Sequence, residues 1–367
     1  RKVLDIIKEE SQEVLKKYGD ERRTQIVAAE GDIDIEDLIA QEDVLVTISH
    51  AGYIKRIPVS MYRRQHRGGT GVTGAGVRDD EDFIEHMFMA STHDYILFFT
   101  NQGRVYWRKT YDVPQGSRQS KGKAIVNLLS LGPNEQVSSF LQVKEFDDKC
   151  YVIMVTAKGV IKKTNLIEYS RPRSTGVNAI TLRDKDELVA CKITSGKDEI
   201  FLATREGKAI RFKEADVRDM GRTASGVRGM NLAKTDEIVA VEIVNPKTTA
   251  LTITQNGFGK KTPFGQYRIQ SRGGKGIINV KVSEKNGKVV NVLTVDEEDE
   301  IILVTTSGMV VRCPVNQIRT SGRNAVGVKV MRLRDKDKIA SATRVVAKDE
   351  DSADAQQLDL INETKTK

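Results

Sequence analysis

Apolar residues in this chain fall into short paired runs, and the pairing recurs along most of its length. ISHAGYIKRI (48–57), FTNQGRVYW (99–107), VTAKGVIKK (155–163), ATREGKAIRF (203–212), ITQNGFGKK (253–261) and VTTSGMVVRC (304–313) share one form. A Val/Ile-rich run leads into a polar turn that ends in glycine, and a second run follows. The turn glycines are Gly52, Gly103, Gly159, Gly207, Gly257 and Gly308, spaced by 51, 56, 48, 50 and 51 residues. Glycine suits a tight hairpin because it tolerates positive φ. A second glycine follows in each unit, at Gly71, Gly122, Gly176, Gly226, Gly276 and Gly327, with offsets of 19, 19, 17, 19, 19 and 19. Twelve glycines in this register predict six repeats. Each unit holds further strand-like runs, such as CYVIMVT (150–156) with DELVACKIT (186–194), EIFLAT (199–204) with DEIVAVEIV (236–244), and EIILVTT (300–306) with DKIASATRVV (337–346). About 50 residues with roughly four strands make one propeller blade. A ring of six would remove the exposed edges at its two ends. An open solenoid is the alternative, and it would need atypical capping repeats.

The two ends differ from the middle. In residues 1–26, Val3, Leu4, Ile6, Ile7, Val14 and Leu15 recur at helical spacing, with Lys16, Lys17 and Gly19 as stop signals. This predicts a short amphipathic helix whose apolar stripe packs outside this chain or on the residues just after it. Residues 27–40 read as a connector. The last stretch, 347–367, is polar, acidic and aperiodic, and is expected to be disordered. The expected divisions are therefore 1–40, the repeat domain 41–346, and the tail 347–367. Within the repeat domain, the blades are expected at about 41–90, 91–146, 147–195, 196–244, 245–296 and 297–346.

Charge divides the chain along the same lines. The chain of 367 residues has 59 Lys and Arg against 51 Asp and Glu, net +8. Residues 1–40 carry −4 and 348–367 carry −3, which leaves +15 on 41–347. A basic body with an acidic tail suits a polyanion binder. Four residues past each turn glycine stand Arg56, Trp107, Lys163, Arg211, Lys261 and Arg312; Arg108 and Lys109 follow the tryptophan. Lys55, Lys162 and Lys260 are adjacent cations. A second group precedes the second glycine: Arg67, Lys121, Arg173, Arg222, Arg272, Lys275 and Arg323. Outward strand positions are ordinarily solvated, but a random surface would mix in Glu and Asp. The repeated sign predicts a basic ring on the rim. Such a ring binds phosphates through counterion release without reading sequence, and many contacts along an arc can hold stiff duplex DNA in a bend. Sparse aromatics argue against single-strand stacking.

Residues 65–71 read QHRGGTG, and 270–276 read QSRGGKG. Adjacent glycines let backbone N–H groups approach an anion, though close-packed blade connectors also need small residues. In this context the chain resembles the C-terminal domain of the A subunit of DNA gyrase, a type II topoisomerase family. The resemblance covers about 41–346 and rests on the six repeats and the box QHRGGTG in the first. The family pattern is QRRGGRG or QRRGGKG, so His66 and Thr70 depart from it. The resemblance implies an all-β, six-bladed pinwheel whose neighbouring blades exchange strands. It implies that duplex DNA wraps the rim in a positive sense, with Gln65, His66, Arg67, Gly68, Gly69, Thr70 and Gly71 as the DNA-binding box. It further implies an A2B2 holoenzyme, shared with the B subunit of gyrase, that uses ATP and Mg2+ to introduce negative supercoils in a bacterial cytoplasm. Residues 1–26 are similar to the end of the coiled-coil arm. The family's catalytic tyrosine follows an arginine, and none of the nine tyrosines here does, so cleavage chemistry and cofactors are not expected in this chain.

Other functions are poorly served. No apolar stretch reaches transmembrane length, and the charged start is not a secretory signal. Cys150, Cys191 and Cys313 lie far apart, without CxxC spacing, which suits a reducing cytoplasm. His50, His66, His86 and His93 lack ligand partners at metal spacing. RDDED (78–82) and DEEDE (296–300) lack the EF-hand pattern, and similar acidic pairs at 186–187 and 236–237 suggest a turn role. Walker A and GxSxG motifs are absent. The alternatives are the matching domain of the A subunit of topoisomerase IV and a protein-binding propeller.

Overall fold

The computed structural model describes residues 2–20, 35–49, 51–58, 84–117, 120–307, 309–334 and 337–345. It comprises two compact units, 1–40 and 41–367. In the first, helix α1 (Lys2–Tyr18) forms as its spacing predicts. Asp5 in the first turn and Lys16 and Lys17 in the last complement the helix dipole. The Gly19 amide donates to the Leu15 carbonyl at 2.9 Å. Its stripe of Val3, Leu4, Ile6, Ile7, Val14 and Leu15 is exposed.

The second unit is a six-bladed propeller of antiparallel strands. Blade 1 has β1 (Asp43–Ser49), β2 (Tyr53–Pro58) and β3 (Ile84–Ser91). Blade 2 has β4 (Tyr95–Thr100) and β5 (Arg104–Lys109); after β6 (Lys123–Ala124), β7 (Val137–Val143) completes its three long strands. Blade 3 has β8 (Tyr151–Thr156), β9 (Val160–Asn165) and, past β10 (Val177–Asn178), β11 (Leu188–Thr194). Blade 4 has β12 (Glu199–Thr204), β13 (Lys208–Lys213) and, past β14 (Val227–Arg228), β15 (Ile238–Ile243). Blade 5 has β16 (Thr249–Thr254), β17 (Phe258–Pro263) and, past β18 (Ile277–Ile278), β19 (Val289–Val295). Blade 6 has β20 (Glu300–Thr305), β21 (Val310–Pro314) and, past β22 (Val328–Lys329), β23 (Ile339–Val345).

The two-residue strands leave home. The sheet orders are β3-β1-β2-β6, β7-β4-β5-β10, β11-β8-β9-β14, β15-β12-β13-β18 and β19-β16-β17-β22. Each outermost strand is therefore supplied by the next repeat, which is the exchange that the family resemblance implies. Among the described residues, blade 6 has three strands.

The hairpins explain the glycines. In blade 3 the Gly159 amide donates to the Thr156 carbonyl at 3.0 Å, with φ +78° at the glycine. The Thr156 hydroxyl accepts from the Val160 amide and donates to Asp186 Oδ2 at 2.7 Å. Asp186 also accepts from the amides of Lys158 and Glu187, so this acidic pair closes a turn. Asp236 accepts from Glu206 and Glu237 in the same way. Each blade then carries one register shift where its central strand meets the inner one, which adds twist.

The inner strands β3, β7, β11, β15, β19 and β23 surround a central channel. A cavity of about 450 Å3 there is lined by Ser139, Cys191, Lys192, Glu242, Thr294 and Arg344, among others. Phe88 of β3 stacks on Phe140 of β7 with ring centroids 4.7 Å apart. At the other end, β23 approaches β3 within 8 Å between Cα atoms, so the ring is closed. The core is a series of seams between blades. One seam joins Leu97, Trp107, Val152, Met154, Tyr169 and Leu188; another joins Ile153, Ile161, Ile200, Phe212 and Met230.

Candidate nucleic-acid interface

The blade order runs from channel to rim, so the outermost chain is the exchanged strand and the loop just before it. That loop holds the second cluster of sequence cations. Lys121, Arg173 and Lys275 are exposed, and Arg222, Arg272 and Arg323 are half-exposed. Arg222, Arg272 and Arg323 each stand four residues before the second glycine. Arg118 occupies that place in repeat two; the pattern of cations did not single it out, and it lies outside the described residues.

The first cluster is different, and the expected ring of strand cations needs correction. Lys55, Lys162, Lys163, Lys260 and Lys261 are only 0–8 % exposed. The next repeat covers the outer strand: parallel bridges join Arg56 to Gln115, Lys163 to Asp219, Arg211 to Ile269 and Lys261 to Thr320. The edge that a simple hairpin would leave free is thus paired, and both faces of β9 and β17 are buried. The buried donors serve backbone carbonyls. Lys55 Nζ donates to Ser117 O at 3.2 Å and Ser120 O at 2.7 Å. Lys162 Nζ donates to Ala179 O at 2.6 Å and to Arg222 O. Lys260 Nζ donates to Asn279 O at 2.6 Å, Gly322 O at 2.9 Å and Arg323 O at 2.5 Å. Burial lowers all three pKa values, to about 7 for Lys162 and about 8 for Lys260. Trp107 is also buried, its indole N–H donating to Tyr169 O at 2.7 Å.

The strand cations also have partners within the protein, some of them acidic. Arg211 pairs with Glu199 at 2.5 Å and donates to Phe264 O at 2.7 Å. Lys261 pairs with Glu297 at 2.5 Å, and Arg312 Nε donates to Glu300 at 2.6 Å while remaining exposed. Arg56 donates to Val113 O at 2.8 Å and lies 3.9 Å from Glu42. Lys163 lies 4.8 Å from the centre of the Tyr151 ring. Arg108 donates to Leu128 O, and Lys109 to His93 O at 3.0 Å. The alternation of Lys55, Lys162 and Lys260 with Tyr106, Ile210 and Val311 at equivalent positions was the sequence signal for burial.

The box QHRGGTG, Gln65 to Gly71, lies outside the described residues. Its copy QSRGGKG is described. Gln270 N donates to Arg211 O at 2.8 Å, Gly273 N to Gly229 O at 2.6 Å, and Asn231 N to Gly274 O at 2.9 Å. Arg272 donates to Asp216 O at 2.8 Å and Arg228 O at 3.1 Å. Gly276 has φ +68°, and a Cβ there would meet Ala209 O at 2.6 Å. The copy therefore works as a clasp onto the fourth repeat, its Gly273 amide already hydrogen-bonded within the protein, with the Lys275 side chain left exposed. Arg323 repeats the staple one blade on, donating to Ile278 O at 3.0 Å.

The described residues contain no group of three His, Cys, Asp or Glu able to hold a metal ion. No helix among them is long and apolar enough to cross a membrane.

A family model described as the DNA gyrase C-terminal domain, a beta-propeller, matches residues 43–91, 94–144, 151–195, 198–245, 249–296 and 299–345. The A subunit of DNA gyrase from Salmonella typhimurium is 45% identical over 361 residues, 98% of this chain and 40% of the relative. Its counterpart from Clostridium acetobutylicum is 50% identical over 344 residues, 94% of this chain and 41% of the relative. The chain thus spans about two fifths of the length of these relatives. Among solved structures, a DNA gyrase A C-terminal domain matches with TM-score 0.68 and 28% identity, over 83% of this chain and 100% of that one. A C-terminal domain of DNA topoisomerase IV matches with TM-score 0.72 and 27% identity, over 88% and 98%.

Proposed function

The chain belongs to the DNA gyrase C-terminal domain family, and from that premise we propose that its propeller wraps duplex DNA around the rim. The observation that carries this reading is the repeated cationic loop. Arg173, Arg222, Arg272, Lys275 and Arg323, with Lys121 in blade 1's outer loop, recur on the outermost chain of successive blades. The strand acids Glu199 and Glu300 and the turn acid Glu297 are meanwhile paired with strand cations. Such a surface neutralises phosphates without base contacts. The buried Lys55, Lys162, Lys163, Lys260 and Lys261 act as structural ties, and Gln65 to Gly71 is assigned to the DNA path through the family resemblance. In the whole protein, wrapping would present a segment for ATP- and Mg2+-dependent strand passage with the B subunit of gyrase, in an A2B2 assembly in the bacterial cytoplasm. This chain's part is to hold the bend; it offers neither the arginine–tyrosine pair nor a nucleotide loop. The gyrase reading is preferred to a topoisomerase IV reading because the gyrase relatives reach 45–50% identity.

Titration of duplex DNA against the chain at several salt concentrations tests the reading. The log–log slope should be about −0.9 per phosphate neutralised. A plasmid nicked and resealed in the complex should change linking number. A salt-independent affinity, or binding without any topological change, would refute rim wrapping.

A further inference from the structure

The third residue past each turn glycine alternates: Lys55, Tyr106, Lys162, Ile210, Lys260, Val311. Seven residues further on, the alternation recurs, with Tyr62, Tyr169 and Tyr267 after the lysines and Val113, Val217 and Ile318 after the others. Blades 4 and 6, with Ile210 and Val311, therefore show that an apolar residue builds this position as well as lysine does, while in blade 2 the Tyr106 hydroxyl donates to Ser130 O at 3.1 Å and Glu135 Oε2 at 3.0 Å within its own repeat. Burying an amine is costly unless its donors are used, so the lysines of the odd blades serve something besides packing. Their partners say what. Lys162 on β9 holds Ala179 O of its own repeat and Arg222 O of the next. Lys260 on β17 holds Asn279 O of its own repeat and Gly322 O and Arg323 O of the next. Lys55 on β2 holds Ser117 O and Ser120 O of the next. In every case the lysine reaches the loop of the next repeat that carries a rim cation.

We propose that Lys55, Lys162 and Lys260 are positioning residues for DNA: each pins the cationic loop of the following repeat to the outer strand, so that three alternate stations on the rim present their charges from a fixed backbone. The inference rests on the wrapping reading above. The remaining described stations use another device, the glycine-rich clasp at 270–276 and the Arg104 bond to Thr175 O.

Proton linkage supplies a signature. Desolvation, then the nearby Arg222 or Arg323, lowers the two lysines to about 7 and about 8. Glu168 opposes the shift at Lys162. Tyr169, facing the same Ala179 carbonyl and Cys191, and Tyr267 at Asn279 are pushed up by burial and stay protonated. Cys191 is also pushed well up. In an opened loop each lysine returns to its ordinary value of about 10.4. The closed loop then binds fewer protons than the open one above about pH 7, so raising pH favours closure.

The test compares the whole chain with a Lys162→Ile, Lys260→Ile variant and with Ile210→Val as a control at an unpinned station. Hydrogen exchange in 220–226 and 321–327, corrected for intrinsic rates, reads the loops; duplex affinity and plasmid linking number read the DNA. In the variant, loop exchange should rise about tenfold or more, as expected when a local opening loses its tie. The linking-number change should fall by half or more, while affinity stays within about threefold because the other stations remain. Between pH 7 and 8.5 exchange should slow in the wild type and not in the variant. Unchanged loop exchange, or looser loops with unchanged topology, would overturn the proposal. So would a chain that loses its fold both in this variant and in Lys162→Met, Lys260→Met, since the lysines would then be structural only. A wild type that does not bind DNA defeats the wrapping reading instead, and the exchange data still judge the pins.

Discussion

At Gly207 two constraints meet at one atom. Its φ is +80°, and a Cβ would stand 2.3 Å from the Val280 carbonyl oxygen. That oxygen belongs to the segment after β18, which crosses from the next repeat, and the Val280 amide donates back to Gly207 O at 3.1 Å. The glycine is thus needed for the turn and for the neighbour that lies on it. Gly207→Ala should destabilise the domain by about 2–4 kcal/mol, from left-handed strain plus displacement of a packed backbone. Chemical denaturation measures this. Gly52 offers a comparison: it has φ +78° but, among the described residues, nothing within 4 Å of a Cβ, so Gly52→Ala should cost only the conformational part, about 1–2 kcal/mol. Equal costs at the two positions would mean that the close approach at Gly207 relaxes freely.

The same logic applies to whole hairpins, where side chains three residues before the glycine complete what the glycine begins. Thr156 is buried and links the turn to Asp186 across the blade. Thr156→Val keeps the shape and strands the Asp186 oxygen and the Val160 amide. The cost should be about 1–3 kcal/mol by equilibrium unfolding, as for other buried groups left unpaired. The hairpins were legible in the chain because a turn glycine and its flanking runs are local features with a fixed period. The exchanged strands were not legible from periodicity. Val227–Arg228 and Ile277–Ile278 are two residues long, too short for an alternation to show, and only the family resemblance implied their exchange. That gap produced the misplacement of Lys162, Lys163, Lys260 and Lys261. An isolated hairpin would expose one face of β9 and β17, and the rule that Lys lies outside follows from that picture. Lys162 and Lys163, like Lys260 and Lys261, are strand neighbours on opposite faces, and β9 and β17 are buried on both faces, so the rule inverts there. The exposure of the loop cations Arg173 and Lys275 was legible because a loop before a glycine needs no long-range partner to stay outside.

Across the whole molecule, binding and wrapping depend on the rim in different ways. Affinity sums over stations, each adding a phosphate contact. A bend is held only if contacts persist along the arc, because bending a short duplex costs several kcal/mol. The two glycine-rich boxes separate these effects. In the blade-five copy, Arg272 is tied to Asp216 O and Arg228 O, so Arg272→Ala loosens a seam within a ring that other seams still close. In the first repeat, Arg67 has the matching position in QHRGGTG. Arg67 lies outside the described residues, and its role is assigned through the family resemblance, which places the essential contact at the first box. Arg67→Ala should reduce the linking-number change by tenfold or more while weakening duplex affinity by only about threefold, the effect of removing one phosphate contact among many. Arg272→Ala should leave at least half of the topological change. Parallel plasmid-sealing and titration experiments on the two variants distinguish the outcomes. Equal topological losses would show that the boxes act as interchangeable charges, and normal wrapping by the Arg67 variant would remove the first box from the DNA path.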